Sequence, residues 1–141
     1  MVKKDYLFFG IALLVILLDQ LTKYLISIFQ PVWNLPLLTI HLVKNTGAGF
    51  GLLQNFSFWL GILSLIIFLI IIIFRNKIPS QTAPQLLFAF FLGGVAGNML
   101  DRFFRGFVVD FLDFHFWPAF NLADACLTVS VIGIVIYFWR E

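Results

Sequence analysis

The sequence contains a single cysteine, few charged residues and only a small net charge. Cys126 is its single cysteine, which excludes an internal disulfide and any metal site built from several cysteines. Charged residues make up only 11% of the 141 residues, against about 25% in an average soluble domain. The net charge of +2 is too small to indicate nucleic-acid binding, so we expect no nucleic-acid partner.

Motifs of several enzyme classes are also missing. His41 and His115 do not form a helical pair, and neither lies in a His-Glu-x-x-His zinc motif, so we expect no metal site. Glycines 47, 49 and 51 alternate in "NTGAGFG", but no Gly-Lys-Ser/Thr follows as in a phosphate loop. The preceding "LLTIHLV" is apolar and β-prone, which predicts a short strand ending in a turn. No Gly-x-Gly-Asp occurs, which argues against the intramembrane aspartic proteases of that kind.

Long hydrophobic runs are what the sequence does have. Hydrophobic residues reach 62% and the mean hydropathy is +1.03, values typical of integral membrane proteins. Four segments suit a spanning helix of about 20 residues, although two are slightly short, at about 6–29, 56–74, 84–100 and 122–139. No small-residue cleavage site follows the N-terminal run, so we expect a retained span rather than a signal peptide. The sequence thus predicts one membrane-embedded domain over residues 1–141.

The distribution of basic residues predicts the orientation, because Lys and Arg favour the cytoplasmic side of short loops. With four spans, five basic residues share the side of the termini and three lie on the other, which favours cytoplasmic termini. The two longer connections, about residues 30–55 and 101–121, would then lie outside, where function is expected. The first set is Lys3, Lys4, Arg75, Lys77 and Arg140, and the second is Lys44, Arg102 and Arg105.

Depth in the membrane brings distant acidic residues together. Four of the seven acidic residues lie within residues 97–125. The apolar run 6–18 rises about 20 Å as a helix, which places Asp19 in the outer part of the bilayer. Asp101 ends the third span and Asp124 begins the fourth, so three helices deliver carboxyl groups to similar depth. Acidic residues within spans cost on the order of 2.5–3.5 kcal/mol at mid-helix, and they usually mark function.

The "DQLTK" segment of the first span has a simple structural interpretation. Asp19 and Lys23 are four residues apart and share a helix face. This spacing predicts an ion pair near the membrane interface, with the Lys23 side chain extending outward to water. A supporting role for Asp19 is therefore favoured over a direct chemical one.

The end of the third span, "GGVAGNMLDR", combines packing and polar residues. Gly93 and Gly97 form a Gly-x-x-x-Gly pair, which predicts close contact with another helix. Asn98, Asp101 and Arg102 follow at the outer end of the span. Arg102 has two possible partners at this stage, which are Asp101 and an anionic lipid head group.

A pair of carboxyl groups is the candidate catalytic centre. Asp110 lies in the β-prone "FVVDF", where apolar neighbours should raise its pKa. Asn121 is a candidate N-cap, which makes Asp124 either a capping acid or one member of the pair. Two nearby carboxyl groups in different environments differ in pKa, so one can activate water while the other polarises a carbonyl. Asp113 is a rival for either role if the strand bends, because an offset of three residues otherwise changes strand face.

Other functions fit the same residues less well. A small proton-coupled transporter would use Asp19, Asp110 or Asp124 as a relay, but it predicts acids near mid-membrane and an internal repeat. The sequence has neither feature. Cys126, within the fourth span, reads as a packing residue. The aromatic-rich outer loop is expected at the membrane interface, and its large residues are Phe111, Phe114, Phe116, Trp117 and Phe120.

Taken together, the motifs resemble those of lipoprotein signal peptidase, or signal peptidase II. The resemblance covers nearly the whole chain, with "DQLTK", "NTGAGFG", "GNMLDR", "GFVVDF" and "FNLAD" in the family's order. It implies a bacterial plasma-membrane aspartic endopeptidase without cofactor or metal. Such an enzyme removes the signal peptide of diacylglyceryl-modified prolipoproteins by cutting just before the lipidated cysteine. It also implies an all-α membrane fold of four spans with a small extracytoplasmic β-cradle and a short outer helix, and we expect a monomer.

The resemblance also assigns the site residues. The family's catalytic aspartates fall at Asp110 and Asp124, and their separate acid and base roles stay open. Two positions depart from the family's usual pattern. Gly49 replaces a more common Ala before Phe50, and Ala125 replaces a common Ser. The supporting polar positions implied by the resemblance are Asp19, Lys23, Asn45, Gly47, Asn98, Asp101, Arg102 and Asn121.

Overall fold

The computed structural model describes residues 2–49 and 52–140, with side chains from residue 5 onward. Four α-helices make up most of these residues. Phe50 and Gly51, the end of the first-loop motif, lie outside the described residues. The helices are α1 (Val2–Phe29), α2 (Ser57–Ile73), α3 (Thr82–Phe104) and α4 (Leu122–Trp139).

A small antiparallel sheet completes the fold. Its strands are β1 (Trp33–Asn34), β2 (Thr39–Asn45) and β3 (Val108–Asp113), in the order β1-β2-β3. The strand and turn predicted around residue 43 are thus confirmed as β2. The described parts of residues 30–55 contain two strands and turns but no α-helix, so the short outer helix stays a prediction.

Helix α3 is the centre of the bundle and packs against the other three helices. Its glycines allow this approach, because a Cβ on Gly93 would lie 2.7 Å from Cβ of Val15 in α1. On Gly97 it would lie 2.5 Å from Oδ2 of Asp19. The close packing predicted for the Gly-x-x-x-Gly pair is therefore confirmed, and it brings α1 polar groups against α3.

The helix ends differ from the expected span limits at α3. The prediction placed the end of the third apolar run at about residue 100, whereas α3 continues to Phe104. Asp101 remains helical because its carboxylate pairs with Arg105 one turn later, which stabilises the final turn. The apolar run therefore ends before the helix does, so the polar residues Asp101 and Arg102 lie within the last helical turn of α3.

The outer surfaces of the helices are apolar, as expected for contact with lipid. Among the described residues, three helices can cross a membrane by length and composition, and these are α1 from Asp5 onward, α3 and α4. Helix α2 is apolar but has only 17 residues. The buried core lies between α1, α2 and α3, where Phe8, Ala89 and Leu92 pack together. A second cluster around Val109 joins the sheet to the C-terminal part of α1.

Candidate active site

Asp110 is held by two amide groups at the centre of β3. The residue is almost fully buried, with 1% of its surface exposed. Asn45 Nδ2 donates to Oδ2 at 3.0 Å, and Asn121 Nδ2 donates to Oδ1 at 2.7 Å. The sheet brings Asn45 near because Val43, two residues earlier in β2, is the partner of Asp110 in β3. Both carboxylate oxygens thus have a fixed donor, which sets the orientation of the carboxyl group.

The surroundings of Asp110 shift its acidity strongly. Burial and then the negative charge of Asp124 raise the pKa of Asp110 from 3.8 to about 7. The amide donors of Asn45 and Asn121 oppose this rise because they stabilise the ionised form. The prediction that apolar neighbours raise this pKa is confirmed. Near neutral pH the carboxyl group therefore exchanges readily between its protonated and ionised forms.

Asp124 is positioned by the start of α4. Asn121 is the N-cap, and a capping box joins its side chain and backbone to the backbone and side chain of Asp124. The distances are 2.9 Å from Asp124 N to Asn121 Oδ1 and 3.3 Å from Asn121 N to Asp124 Oδ2. The other oxygen, Oδ1, accepts from Asn98 Nδ2 at 2.7 Å. Asp124 is therefore a capping acid, and its carboxylate also faces the neighbouring helix.

One side chain connects the two candidate carboxyl groups. The Nδ2 group of Asn121 donates to Asp110, while the Oδ1 atom of Asn121 caps α4 beside Asp124. Asn121 is fully buried and also donates to Asn98 Oδ1 at 3.1 Å. Both carboxyl groups line one cavity of about 190 Å³, together with Asn45 and Arg102. The residues predicted to act as a pair thus meet at a single concave site.

An ion network in the helix bundle supports this site. Lys23 is fully buried and its Nζ lies 2.8 Å from Asp19 Oδ2 and 3.0 Å from Asp101 Oδ2. It also donates to Asn98 Oδ1 at 2.9 Å. The predicted ion pair of Asp19 and Lys23 is confirmed, but the outward extension of Lys23 is wrong. The side chain turns inward because the buried Asp19 carboxylate would otherwise lack a counter-charge, while Asp101 is also paired with Arg105.

The same carboxylates also fix backbone groups. Asp19 Oδ1 accepts from Ala123 N at 2.9 Å, which attaches α1 to the first turn of α4. Asp101 Oδ2 accepts from Val109 N at 3.0 Å, which attaches the sheet to α3. The predicted convergence of the acids from three helices is therefore observed as direct and bridged contacts around Lys23.

Two polar residues of this network were missed by the sequence interpretation. Gln20 donates to Asp101 Oδ1 at 3.1 Å and to the carbonyl of Gly97 at 3.1 Å. Arg105 pairs with Asp101 and donates to Gln20 Oε1 at 3.0 Å. The available signals were a second polar residue beside Asp19 within a span, and a basic residue four positions after Asp101. With Lys23 and Arg105 opposite Asp19 and Asp101, the network is balanced in charge.

Arg102 does not take the first of the two partners considered for it, and a contact with an anionic lipid head group stays a prediction. Asp101 is paired with Lys23 and Arg105, so pairing of Asp101 with Arg102 is wrong. Arg102 Nη1 donates to Ser64 of α2 at 3.4 Å, and the side chain lines the cavity of the carboxyl pair. Its buried Nε atom has no hydrogen-bond partner among the described residues. A guanidinium group therefore faces the cavity with hydrogen-bonding capacity to spare.

Asp113 lies apart from the pair. Its Oδ2 is 3.1 Å from Nε2 of His41, and its Oδ1 accepts from the backbone N–H of His115 at 2.8 Å. These two contacts lower the pKa of Asp113, the contact with His115 being the larger cause. The described residues contain no group of His, Cys, Asp or Glu suited to hold a metal ion. Asp113 thus organises the C-terminal end of β3 beside the two histidines.

The first-loop motif supports the site through a turn. Asn45 Oδ1 accepts from Gly47 N at 3.0 Å, so the side chain that contacts Asp110 also fixes the following turn. A Cβ on Gly47 would collide with the carbonyl oxygens of Leu52 and Leu53, the second at 2.9 Å. Gly47 is therefore required for close backbone approach. A Cβ on Gly49 would meet nothing within 4 Å, so Ala is sterically tolerated there.

Known proteins resemble this chain over nearly its whole length. The family model of signal peptidase (SPase) II matches residues 11–140. The lipoprotein signal peptidase of Moorella thermoacetica is 42% identical, covering 94% of this chain and 91% of that protein. The lipoprotein signal peptidase of Synechocystis is 40% identical, covering 94% and 87%.

Solved structures agree in fold. A bacterial membrane enzyme superposes with a TM-score of 0.85 and 32% identity, covering 92% of this chain and 85% of that one. A second structure of a bacterial membrane enzyme gives 0.82 at 32% identity, with 93% and 91% covered. The mostly helical architecture with a small sheet and apolar spans therefore agrees with an established membrane-enzyme fold. This membrane protein belongs to the signal peptidase II family.

Proposed function

We propose that this chain is an aspartic endopeptidase that removes the signal peptide from diacylglyceryl-modified prolipoproteins, with Asp110 and Asp124 as the catalytic pair. The cut falls just before the lipidated cysteine. Membership of the signal peptidase II family supports the activity. The observation that supports the assignment of the pair is that the buried Asn121 bonds to both residues, and that both residues line one cavity.

The pair performs the reaction by holding one proton. An ionised carboxylate takes a proton from water as the water oxygen attacks the scissile carbonyl carbon, and the protonated carboxyl group donates to the carbonyl oxygen. Collapse of the tetrahedral intermediate breaks the C–N bond as a proton passes to the leaving amine. The raised pKa of Asp110, about 7, supports one shared proton near neutral pH. We leave the separate roles open because coupled carboxyl groups titrate as a pair.

The supporting residues act by position and charge. Asn45 and Asn98 each donate to one carboxyl group, and Lys23 neutralises the carboxylates behind the site. Gly47, Asp19 and Asp101 hold the backbone around the cavity. Arg102 lines the cavity and offers its guanidinium group to the carbonyl oxygens of a bound peptide.

We further propose one membrane-embedded peptidase domain over residues 1–141, acting as a monomer in the bacterial plasma membrane. All four helices span, including α2, whose 17 residues lie at the lower end of the roughly 17–25 needed. Both termini are cytoplasmic, on the bias of basic residues. The sheet then forms the extracytoplasmic cradle, with the short outer helix beside it. This orientation brings the pair near the outer surface, where the acyl chains anchor the substrate cysteine.

The test compares cleavage of a diacylglyceryl-modified prolipoprotein by purified wild-type protein and by Asp110→Asn and Asp124→Asn variants. Asp113→Asn is the control, because Asp113 lies on the same strand but bonds to His41 and His115. We expect loss of cleavage in the first two variants and activity in the third. Circular dichroism and thermal unfolding in detergent would verify the fold of each variant.

Two results would contradict the proposal. If the wild-type protein cleaves nothing, the peptidase function fails, and proton-coupled transport in liposomes becomes the next measurement. If both Asn variants remain active, the assignment of Asp110 and Asp124 as the catalytic pair is wrong, even though the family assignment stands.

A further inference from the structure

A second and larger cavity opens beside Asp124. It has a volume of about 410 Å³, within the usual range of small-molecule pockets. One wall is the aromatic segment between β3 and α4, which includes Phe116, Trp117 and Phe120. The other wall is α4 itself, from Asp124 to Val129. Trp117, Phe120 and Asp124 also line the cavity of the carboxyl pair, so the two cavities adjoin each other.

The walls of this aromatic cavity are almost entirely apolar. The ring of Phe120 stacks on that of Phe114, with centroids 5.9 Å apart and planes 10° apart, which makes a flat hydrophobic surface. Thr128 contributes a hydroxyl group, but this donates to the backbone oxygen of Asp124 at 2.9 Å. Apart from the Asp124 carboxylate at its mouth, the cavity therefore offers hydrocarbon contacts.

The aromatic cavity extends along α4, away from Asp124. Asp124 lies in the first turn of α4, and Val129 is five residues further along the helix. At 1.5 Å per residue, the wall descends about 7–8 Å from the carboxyl group into the spanning part of α4. The cavity thus runs from the reacting centre into the membrane. An occupant must combine a reacting group at one end with an apolar chain that points into the bilayer.

The cavity next to Asp110 is more polar. It has a volume of about 180 Å³, and Lys44, Asn45 and Gln54 line it together with Val43, Ala48, Pro118 and Ala119. The site therefore has an almost wholly apolar side at Asp124 and a more polar side at Asp110. The mature part of a lipoprotein is a polar chain leaving the membrane, which suits the second side and leaves the aromatic cavity to another part of the substrate.

We propose that the aromatic cavity between α4 and the Phe114–Phe120 segment binds one acyl chain of the diacylglyceryl cysteine. This inference rests on the proposed function. The lipidated cysteine is the residue directly after the scissile bond, so its thioether-linked lipid starts within a few bonds of the catalytic pair. A hydrocarbon chain from that point reaches the mouth of the cavity beside Asp124 and follows its wall along α4. Binding there positions the scissile bond, because the chain is held at a fixed distance from the carboxyl groups.

The test shortens the aromatic cavity by mutation and varies the length of the acyl chains on the substrate. Val129→Phe fills the deep end, and Val131→Phe is the matched control, since both valines are exposed on α4 but only Val129 lines the cavity. Each protein would cleave two synthetic lipopeptides with the same sequence, one carrying dioctanoylglyceryl cysteine and one dipalmitoylglyceryl cysteine. We expect Val129→Phe to lower kcat/KM for the long-chain substrate about tenfold relative to the short-chain substrate. Val131→Phe should leave the ratio unchanged.

A second measurement does not depend on turnover. A long-chain lipopeptide with a photoactivatable diazirine near the end of one acyl chain would be cross-linked to the wild-type protein and mapped by mass spectrometry. We expect adducts within residues 114–129, in excess of those made by a free phospholipid that carries the same group.

The outcomes separate the two proposals. Equal losses for both substrates in Val129→Phe, or adducts elsewhere in the chain, would overturn the acyl-chain site while the peptidase function stands. Equal labelling by substrate and free phospholipid would also overturn it, since the cavity would then hold any bilayer lipid. If the wild-type protein cleaves neither lipopeptide, the peptidase function falls and the acyl-chain site falls with it.

Discussion

Replacement of Asn45 by Ala should move the alkaline limit of activity upward. Asn45 Nδ2 donates to Asp110 at 3.0 Å and stabilises the ionised form, so its loss raises the pKa of Asp110 above about 7. A hydrogen bond to a charged group contributes about 1.5–3 kcal/mol. One pKa unit corresponds to about 1.36 kcal/mol, which gives a rise of about 1–2 units.

The direction in which the pH limit moves follows from the single proton that the two carboxyl groups share. On the proposed mechanism, activity requires one protonated carboxyl group, so we expect kcat/KM to fall as rising pH removes that proton. In the wild-type protein we expect this fall near pH 7, which is the pKa of Asp110. In Asn45→Ala the proton is retained to higher pH. The pH at which kcat/KM falls should therefore increase by about 1–2 units.

The assay is the dependence of kcat/KM on pH, measured with a synthetic lipopeptide in detergent. Thr46→Ala is the control, because Thr46 lies in the same turn but bonds to Gln54 at 2.8 Å. Its profile should match that of the wild-type protein. A limb that is unmoved in Asn45→Ala, or that moves to lower pH, would refute the account of how the amide acts on Asp110.

Two further predictions concern stability. Lys23→Met leaves the buried Asp19 without a counter-charge, although Asp101 keeps Arg105, and should lower the free energy of unfolding by about 3–5 kcal/mol. The exposed Lys77→Met should have little effect in the same denaturation in detergent. Gly97→Ala pushes a Cβ to 2.5 Å from Asp19 Oδ2 and should cost about 1–3 kcal/mol, whereas Gly10→Ala meets no atom within 4 Å. Equal thermal midpoints for either variant and its control would contradict the packing described for α1 and α3.

Much of the site could be predicted because the assignment of membrane spans fixes one coordinate of each residue, which is its depth in the bilayer. Once the spans are assigned, counting residues along each helix gives the depth of a side chain. Depth alone brought Asp19, Asp101 and Asp124 together across more than 100 residues of sequence. The capping role of Asn121 was likewise local, since an Asn three residues before an acid is a recognisable helix start.

The partners within the site were harder to predict because depth does not determine the rotation of a helix. Lys23 was expected to extend toward water, and its inward turn depends on Asp101 facing α1. Pairing of Arg102 with Asp101 failed for the same reason, since the adjacent residue on α3 points about 100° away around the helix. Gln20 was overlooked because its contacts, to Gly97 and Asp101, exist only once α1 and α3 are packed.

The two carboxyl groups belong to different parts of the fold. Asp124 is fixed in the first turn of a helix that runs through the hydrocarbon, while Asp110 is fixed in a sheet that the bundle holds through Asp101 and Val109. Helices adjust their tilt to the thickness of the surrounding bilayer, whereas the proposed orientation puts the sheet outside the hydrocarbon. On the proposed assignment of the catalytic pair, we therefore expect a change in the tilt of α4 to alter the separation of the two carboxyl groups, so that the rate of peptide cleavage depends on bilayer thickness.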